Sequence, residues 1–208
     1  MNRKLTQEDK TYLESISKGR AYSLGHSLLA YGIRGEVFDY IMQGSASLDY
    51  NNQKQRLEWV TQAMKRMEEK LPPEQIKEMR ESSACCLGGQ RAKLAKKIHD
   101  SFDTVEQRFE ALSREHYIIG NKAERVGPDT YRVSFFDGLP EGGYCCCLKY
   151  VPKEEPVPVS WCMCCAGHIK THFEHALGVK AECRCVSSQL SSCGKENCVF
   201  ELVVMGNS

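Results

Sequence analysis

The sequence contains no long apolar run. Its first twenty residues carry Arg3, Lys4, Glu8, Asp9, Lys10 and Glu14 among few apolar ones. The apolar segment of an export signal is missing there, and no later run reaches membrane-spanning length. Charge of one sign is lacking too: 28 Lys and Arg against 27 Asp and Glu leave a formal charge of +1 over 208 residues. That balance removes the electrostatic reason to expect nucleic acid or a lipid surface as partner. There is no Walker loop, dinucleotide glycine fingerprint, HExxH or GxSxG element, no fixed-period repeat and no low-complexity tract. Gly88-Gly89 alone makes a tight turn into a helix more simply than it cradles a phosphate. The expectation is a cytoplasmic protein of one large or two small domains, large enough to bury a core without staples.

What the sequence does have is cysteine, twelve in all, ten of them from Cys145 onward. Without an export signal these are expected to be reduced. Adjacent cysteines such as Cys85-Cys86 and Cys145-Cys146-Cys147 also make poor disulfide frameworks, because neighbouring residues rarely reach bridge geometry with each other. Reduced thiols serve as core filler, metal ligands, nucleophiles or redox couples.

The first half reads as helical. Leu57, Val60, Met64, Met67 and Leu71 recur at spacings of three and four, one stripe of an amphipathic helix, which Pro72-Pro73 ends. A short helix over residues 74–81 follows, begun by Pro73. Tyr12, Leu13 and Ile16 indicate a helix, and Val37, Phe38 and Ile41 another, with Gly32 and Gly35 loosening the link. Asp103 with Glu106 fits a capping box ahead of Val105, Phe109 and Leu112. The texture changes after about residue 125. Tyr131, Val133 and Phe135 alternate as a strand ending at Asp137-Gly138. Val157, Val159, Trp161 and Met163 alternate after a connector holding Pro152, Pro156 and Pro158. A helix over 166–177 is closed by Gly178. Val179, Ala181, Cys183 and Cys185 form one more strand and residues 198–204 another. Helices first, then strands with one inserted helix, predict an α+β fold. The expected division is a helical region 1–83 and a cysteine-rich α+β domain 84–208, or one continuous domain.

Two thiol clusters share a chemically useful position. ACCLGGQR puts Cys85 and Cys86 just ahead of a basic helix. WCMCCAGH puts Cys162, Cys164 and Cys165 at the end of the predicted 157–163 strand, where the next helix begins. Free N–H groups and the helix dipole favour an anion there, so these thiols are expected to ionise more easily. The opposing reading, small buried hydrophobes, weighs about equally. In a third cluster, Cys145 and Cys147 would share one strand face and Cys146 the other. Cys183 and Cys185 likewise share a face. These groups could supply four sulfurs to a tetrahedral ion, although the spacing is not the usual paired CxxC of a zinc site, and no ferredoxin-like spacing marks an iron–sulfur cluster. His168, His172 and His175 fall within about 60° on one helical stripe. They suit a metal or, more simply, a solvated or interfacial face.

The segment WCMCCAGHIKTHFEHALGVKAECRCVSSQ…CGKENCVFELVV resembles the C-terminal block of L-2-amino-thiazoline-4-carboxylate hydrolase-like families and their cysteine-rich relatives in anaerobic bacteria. The matching positions are Cys162, Cys164, Gly167, Phe173, Glu174, Leu177, Gly178, Ser188, Gly194, Cys198 and Phe200. ACCLGGQR resembles their A-C-x-x-G-G-x-R element at Cys85, Gly88, Gly89 and Arg91, and YCCC their cysteine-bearing strand. The resemblance spans roughly residues 84–204. More distantly it extends to four-vinyl-reductase-like domains, which implies a small-molecule-binding fold like that of trafficking-complex subunits. Departures are His168, where the relatives carry an aromatic residue, and the additional Cys165, Cys183, Cys185 and Cys193. The implied hydrolase activity opens a cyclic C–N bond in a small amino-acid-like heterocycle.

Two functions of different class follow. The first is a domain binding a metal, zinc before an iron–sulfur cluster, and/or a small molecule through Cys85, Cys86, Cys145, Cys147, Cys162, Cys164 and Cys165. The second is a hydrolase with Cys164 as nucleophile, Glu174 or His168 as base and Arg91 anchoring a carboxylate. A thiol–disulfide couple and an interaction protein with merely buried cysteines stand behind these. The N-terminal helices are expected to cover the sheet or build a homodimer interface.

Overall fold

Caps and apolar stripes cut the N-terminal half into helices. The computed structural model describes residues 3–84, 87–120, 122–135, 145, 147–149, 151–152 and 154–206. Helix α1 (Gln7–Ile16) starts at Thr6, whose hydroxyl accepts from the Asp9 N–H while the Asp9 carboxylate accepts from the Thr6 N–H, a reciprocal capping box. Arg34 donates two further hydrogen bonds to the same carboxylate, at 2.6 and 3.0 Å. Helix α2 (Gly19–Ala30) is absent from the sequence expectation. It has no side-chain cap and contains Gly19, Ser23, Gly25 and Ser27, all weak helix formers. Packing overrides propensity: Ala21, Leu24 and Leu28 are buried, and a Cβ on Gly25 would come within 2.6 Å of Leu13 Cδ2.

Helices α3 (Gly35–Met42), α4 (Gln53–Lys70) and α5 (Pro73–Ser82) match the predicted stripes. Asn52 caps α4 by accepting from the Gln55 N–H, and Leu57, Val60, Met64, Met67 and Leu71 are all buried.

The second half comprises α6 (Gly89–Ser101), α7 (Val105–Ser113), the single turn α8 (His116–Ile119), β1 (Lys122–Arg125), β2 (Thr130–Phe135), α9 (Met163–Leu177), β3 (Ala181–Ser187) and β4 (Cys198–Val204). The capping box of α7 is Thr104 with Gln107, not Asp103 with Glu106. That register leaves Glu106 in the first turn, where the helix dipole favours it. The four strands form one antiparallel sheet in the order β1-β2-β4-β3. Pairing of Tyr131 with Leu202, Val133 with Phe200 and Cys183 with Leu202 aligns buried side chains on one face. Helix α9 covers that face with Ile169, Phe173, Ala176 and Leu177, and Phe173 meets the Tyr131 ring edge-on at 5.0 Å. The opposite face carries Arg132 and Arg184 on either side of Glu201. This is the expected α+β order, with the inserted helix between β2 and β3. Among the described residues no helix is long and apolar enough to cross a membrane.

Two predicted strands are corrected. Val159–Cys162 is a 3-10 turn that runs directly into α9. Consecutive Ser160, Trp161 and Cys162 are all buried, so the apolar alternation there reflects enclosure on several sides, not a sheet face. Residues 147–149 turn, with the Lys149 N–H donating to the Cys145 carbonyl at 2.7 Å and a positive φ of 61° at Lys149. Cys145 and Cys147 therefore do not share a strand face. The predicted Asp137-Gly138 turn and Cys146 lie outside the described residues.

Two apolar cores result. One gathers α1 to α5 and is completed from beyond residue 84 by Leu148, Val151, Val157, Trp161, Cys162 and Leu190. The other lies between the sheet, α9 and α6 to α8. They meet where α5 crosses α9. A Cβ on Gly167 would sit 2.1 Å from the Glu81 carbonyl oxygen, so only a glycine admits this approach.

Two outcomes are expected. Gly167→Ala forces backbone apart and lowers stability by at least the roughly 1–3 kcal/mol of overpacking, read as a drop in urea midpoint. The Asp9 carboxyl is held well below the usual carboxylate range, first by its hydrogen bond to Arg34. A depressed folded-state pKa stabilises above the unfolded value, near 4, and loses that contribution as pH falls through the folded one. Asp9→Asn should therefore lower the urea midpoint at neutral pH, and its gap from the wild type should narrow progressively below about pH 4.

Candidate metal centre

The site grows from the junction of the 3-10 turn and α9. Because the turn continues without a break into the helix, Cys162 stands at the N-cap and Cys164 and Cys165 in the first turn. The turn at 147–149 brings Cys147 against them. The sulfurs of Cys147, Cys164 and Cys165 all lie within 4.8 Å of one another, and all three residues are half-buried. Zinc–thiolate bonds of about 2.3 Å in a tetrahedron separate sulfurs by about 3.8 Å. Closing around one ion therefore asks these side chains to move by about an ångström or less.

The electrostatics differ from the sequence expectation. The Cys164 thiol is held above its ordinary value, chiefly by the hydrogen bond with Cys147 that keeps the proton on Cys164, with burial adding to it. The hydrogen bond with Cys165 and the Arg80 guanidinium act in the opposite sense. The helix start alone does not turn this group into an anion. Thiols share protons with one another here, and a soft cation is what would displace them.

Arg80 is the residue that sequence reading missed. It is 4% exposed, its guanidinium carbon lies 4.5 Å from the centre of the Trp161 ring, and Nη2 donates to the Trp161 carbonyl at 3.0 Å. The Cys164 thiol donates to the same carbonyl at 3.4 Å. Arg80 Nε is buried with no hydrogen-bond partner among the described residues. The sequence signal was available: Ile76, Met79 and Arg80 recur at helical spacing and are buried together, a cation on an apolar stripe.

Among the described residues, the other predicted ligands, Cys145 and Cys162, lie outside this group of three. Cys85 and Cys86 lie outside the described residues. Cys145 is half-buried against the first core. Cys162 is buried and hydrogen-bonds Cys185, which with burial raises its pKa well above the ordinary thiol range despite an opposing contact with Ser188. Cys183 is enclosed in the second core, and burial pushes its thiol up to about 12.

The predicted catalytic set is not assembled around Cys164. Glu174 lies ten residues further along α9, about 15 Å by helical rise. Its carboxylate accepts from the Ala181 N–H at 3.0 Å, which ties α9 to the start of β3. Arg91 is engaged by Tyr117, donating to its carbonyl at 2.9 Å and lying over its ring at 4.0 Å. His168 is one helical turn from Cys164; its Nε2 lies 3.0 Å from the Ile118 carbonyl oxygen and its ring meets His172 edge-on at 4.6 Å. His172 is fully buried and His175 exposed, so the three histidines do not form one solvated face.

A family model described as a family of unknown function (DUF6144) matches residues 35–207, and the chain belongs to that family. No curated protein and no solved structure matches it.

The unequal burial of the thiols gives a direct check. In native protein near neutral pH, iodoacetamide should leave buried Cys183 unmodified until denaturant is added, while half-buried Cys193 is labelled without denaturant, as read by peptide mass mapping.

Proposed function

We propose that this member of the DUF6144 family is a metal-binding protein whose Cys147, Cys164 and Cys165 thiolates hold one divalent soft cation, zinc before others. The observation that carries this reading is the convergence of three sulfurs within 4.8 Å from two separate segments. Soft sulfur donors favour zinc or another thiophilic ion over calcium or magnesium. The spread of the sulfurs suits a single ion, and structural zinc takes four ligands. In this reading the fourth is Cys85 or Cys86. Glu81 lies against Gly167, two residues past Cys165, and Cys85 follows Glu81 by four residues, within about 14 Å of extended chain. Reduced thiols suit a reducing compartment such as the cytoplasm. Metal binding would tie the 147–149 turn to α9 and so contribute to folding.

Elemental analysis of anaerobically purified protein tests this. The expected result is about one zinc per chain, lost in Cys147→Ser and Cys164→Ser and retained in Cys193→Ser. Loss in Cys85→Ser or Cys86→Ser identifies the fourth ligand. Metal-free wild-type protein that takes up no added Zn²⁺, together with Cys164→Ser folding as stably as wild type, rejects the reading.

A further inference from the structure

A guanidinium inside a protein normally faces a carboxylate or other anion, because an uncompensated buried charge is costly. Arg80 is buried, yet its described hydrogen bond goes to a neutral group, the Trp161 carbonyl, and the ring beneath it supplies only the weak negative face of an indole. Its Nε has no acceptor among the described residues. The ionisable group that shares its acceptor is the Cys164 thiol, so guanidinium and sulfur can be no further apart than their two distances to that oxygen laid end to end. Three thiolates around a divalent ion carry one net negative charge, and a fourth thiolate makes it two.

Resting on the metal reading above, we propose that Arg80 is the resident counter-charge of the metal–thiolate centre. The site would then be built for an anionic metal–sulfur complex, with its compensating cation supplied in advance by α5. This explains why a cation occupies the apolar stripe of α5, and why that helix must approach α9 as closely as Gly167 allows.

Two probes that differ in the charge of the complex separate a counter-charge from a packing role. Cd²⁺ bound by three thiolates leaves an anionic centre. Arsenous acid, As(OH)₃, reacts with three thiols so that three S–H and three As–O bonds break, three As–S bonds form and three waters leave. No electrons are transferred and the product is neutral. Affinities for both are measured on the full chain under anaerobic conditions for wild type, Arg80→Met and Arg80→Lys. An opposite charge within about 4–6 Å shifts a pKa by 1–3 units, each unit being tenfold. The expectation is therefore that Arg80→Met weakens Cd²⁺ binding by roughly tenfold or more while As(III) binding is unchanged. Arg80→Lys, which keeps the charge, should retain Cd²⁺ binding. Equal loss of both probes in Arg80→Met, or loss of neither, overturns the proposal, as does an Arg80→Lys variant that loses Cd²⁺ as Arg80→Met does. A wild type that takes up no Cd²⁺ overturns the metal reading itself, which keeps the two failures apart.

Discussion

The contact between α5 and α9 at Gly167 is the constraint from which much of this structure follows. Helix packing usually spaces axes by the side chains at the crossing, and here the Glu81 backbone occupies the volume a Cβ would need. That closeness carries Arg80 into the interior, stacks it on Trp161 and brings its charge to the carbonyl that also accepts from Cys164. It also joins the two cores: the Trp161 side contributes to the helical core while Ile169 and Phe173, further along α9, fill the core under the sheet. A single helix thus presents thiols at its start and a sheet-covering face along its length.

The cysteines of one compositional class separate into different chemistries because their surroundings differ. Cys183 alternates inward from β3 and is enclosed by apolar side chains, so it behaves as a small hydrophobe whose proton is hard to remove. Cys162 is buried and hydrogen-bonds Cys185. Cys147, Cys164 and Cys165 are half-buried and mutually close, which leaves them accessible and gives them a reason to exchange protons for a metal. Enclosure silences one thiol, whereas partial burial with a cation and two further sulfurs nearby would make a good ligand of another.

Much of the fold is legible in the sequence, because period and punctuation are local. The α4 stripe, the Pro72-Pro73 break, the strand of Tyr131 and Val133, the β4 limits and the Gly178 cap all depend on residues within one or two turns of each other. Helix α2 is not legible: its glycines and serines argue against a helix, and only contact with Leu13 and the rest of the core stabilises one. The Val159–Cys162 turn misleads for the converse reason, since burial on several sides imitates the alternation of a strand.

For the site, the sequence by itself determined that thiols cluster at the start of a helix and that the chain carries no competing catalytic motif. Only the tertiary structure decided which thiols meet. Cys147 and Cys164 are separated by a proline-rich connector whose path no local rule specifies, and Glu174 is separated from Cys164 by the rigid rise of the helix they share. Arg80 shows the same division: its place on an apolar stripe is written in the residues of α5. That Arg80 reaches the carbonyl that also accepts from Cys164 depends on how closely Gly167 lets α5 approach α9.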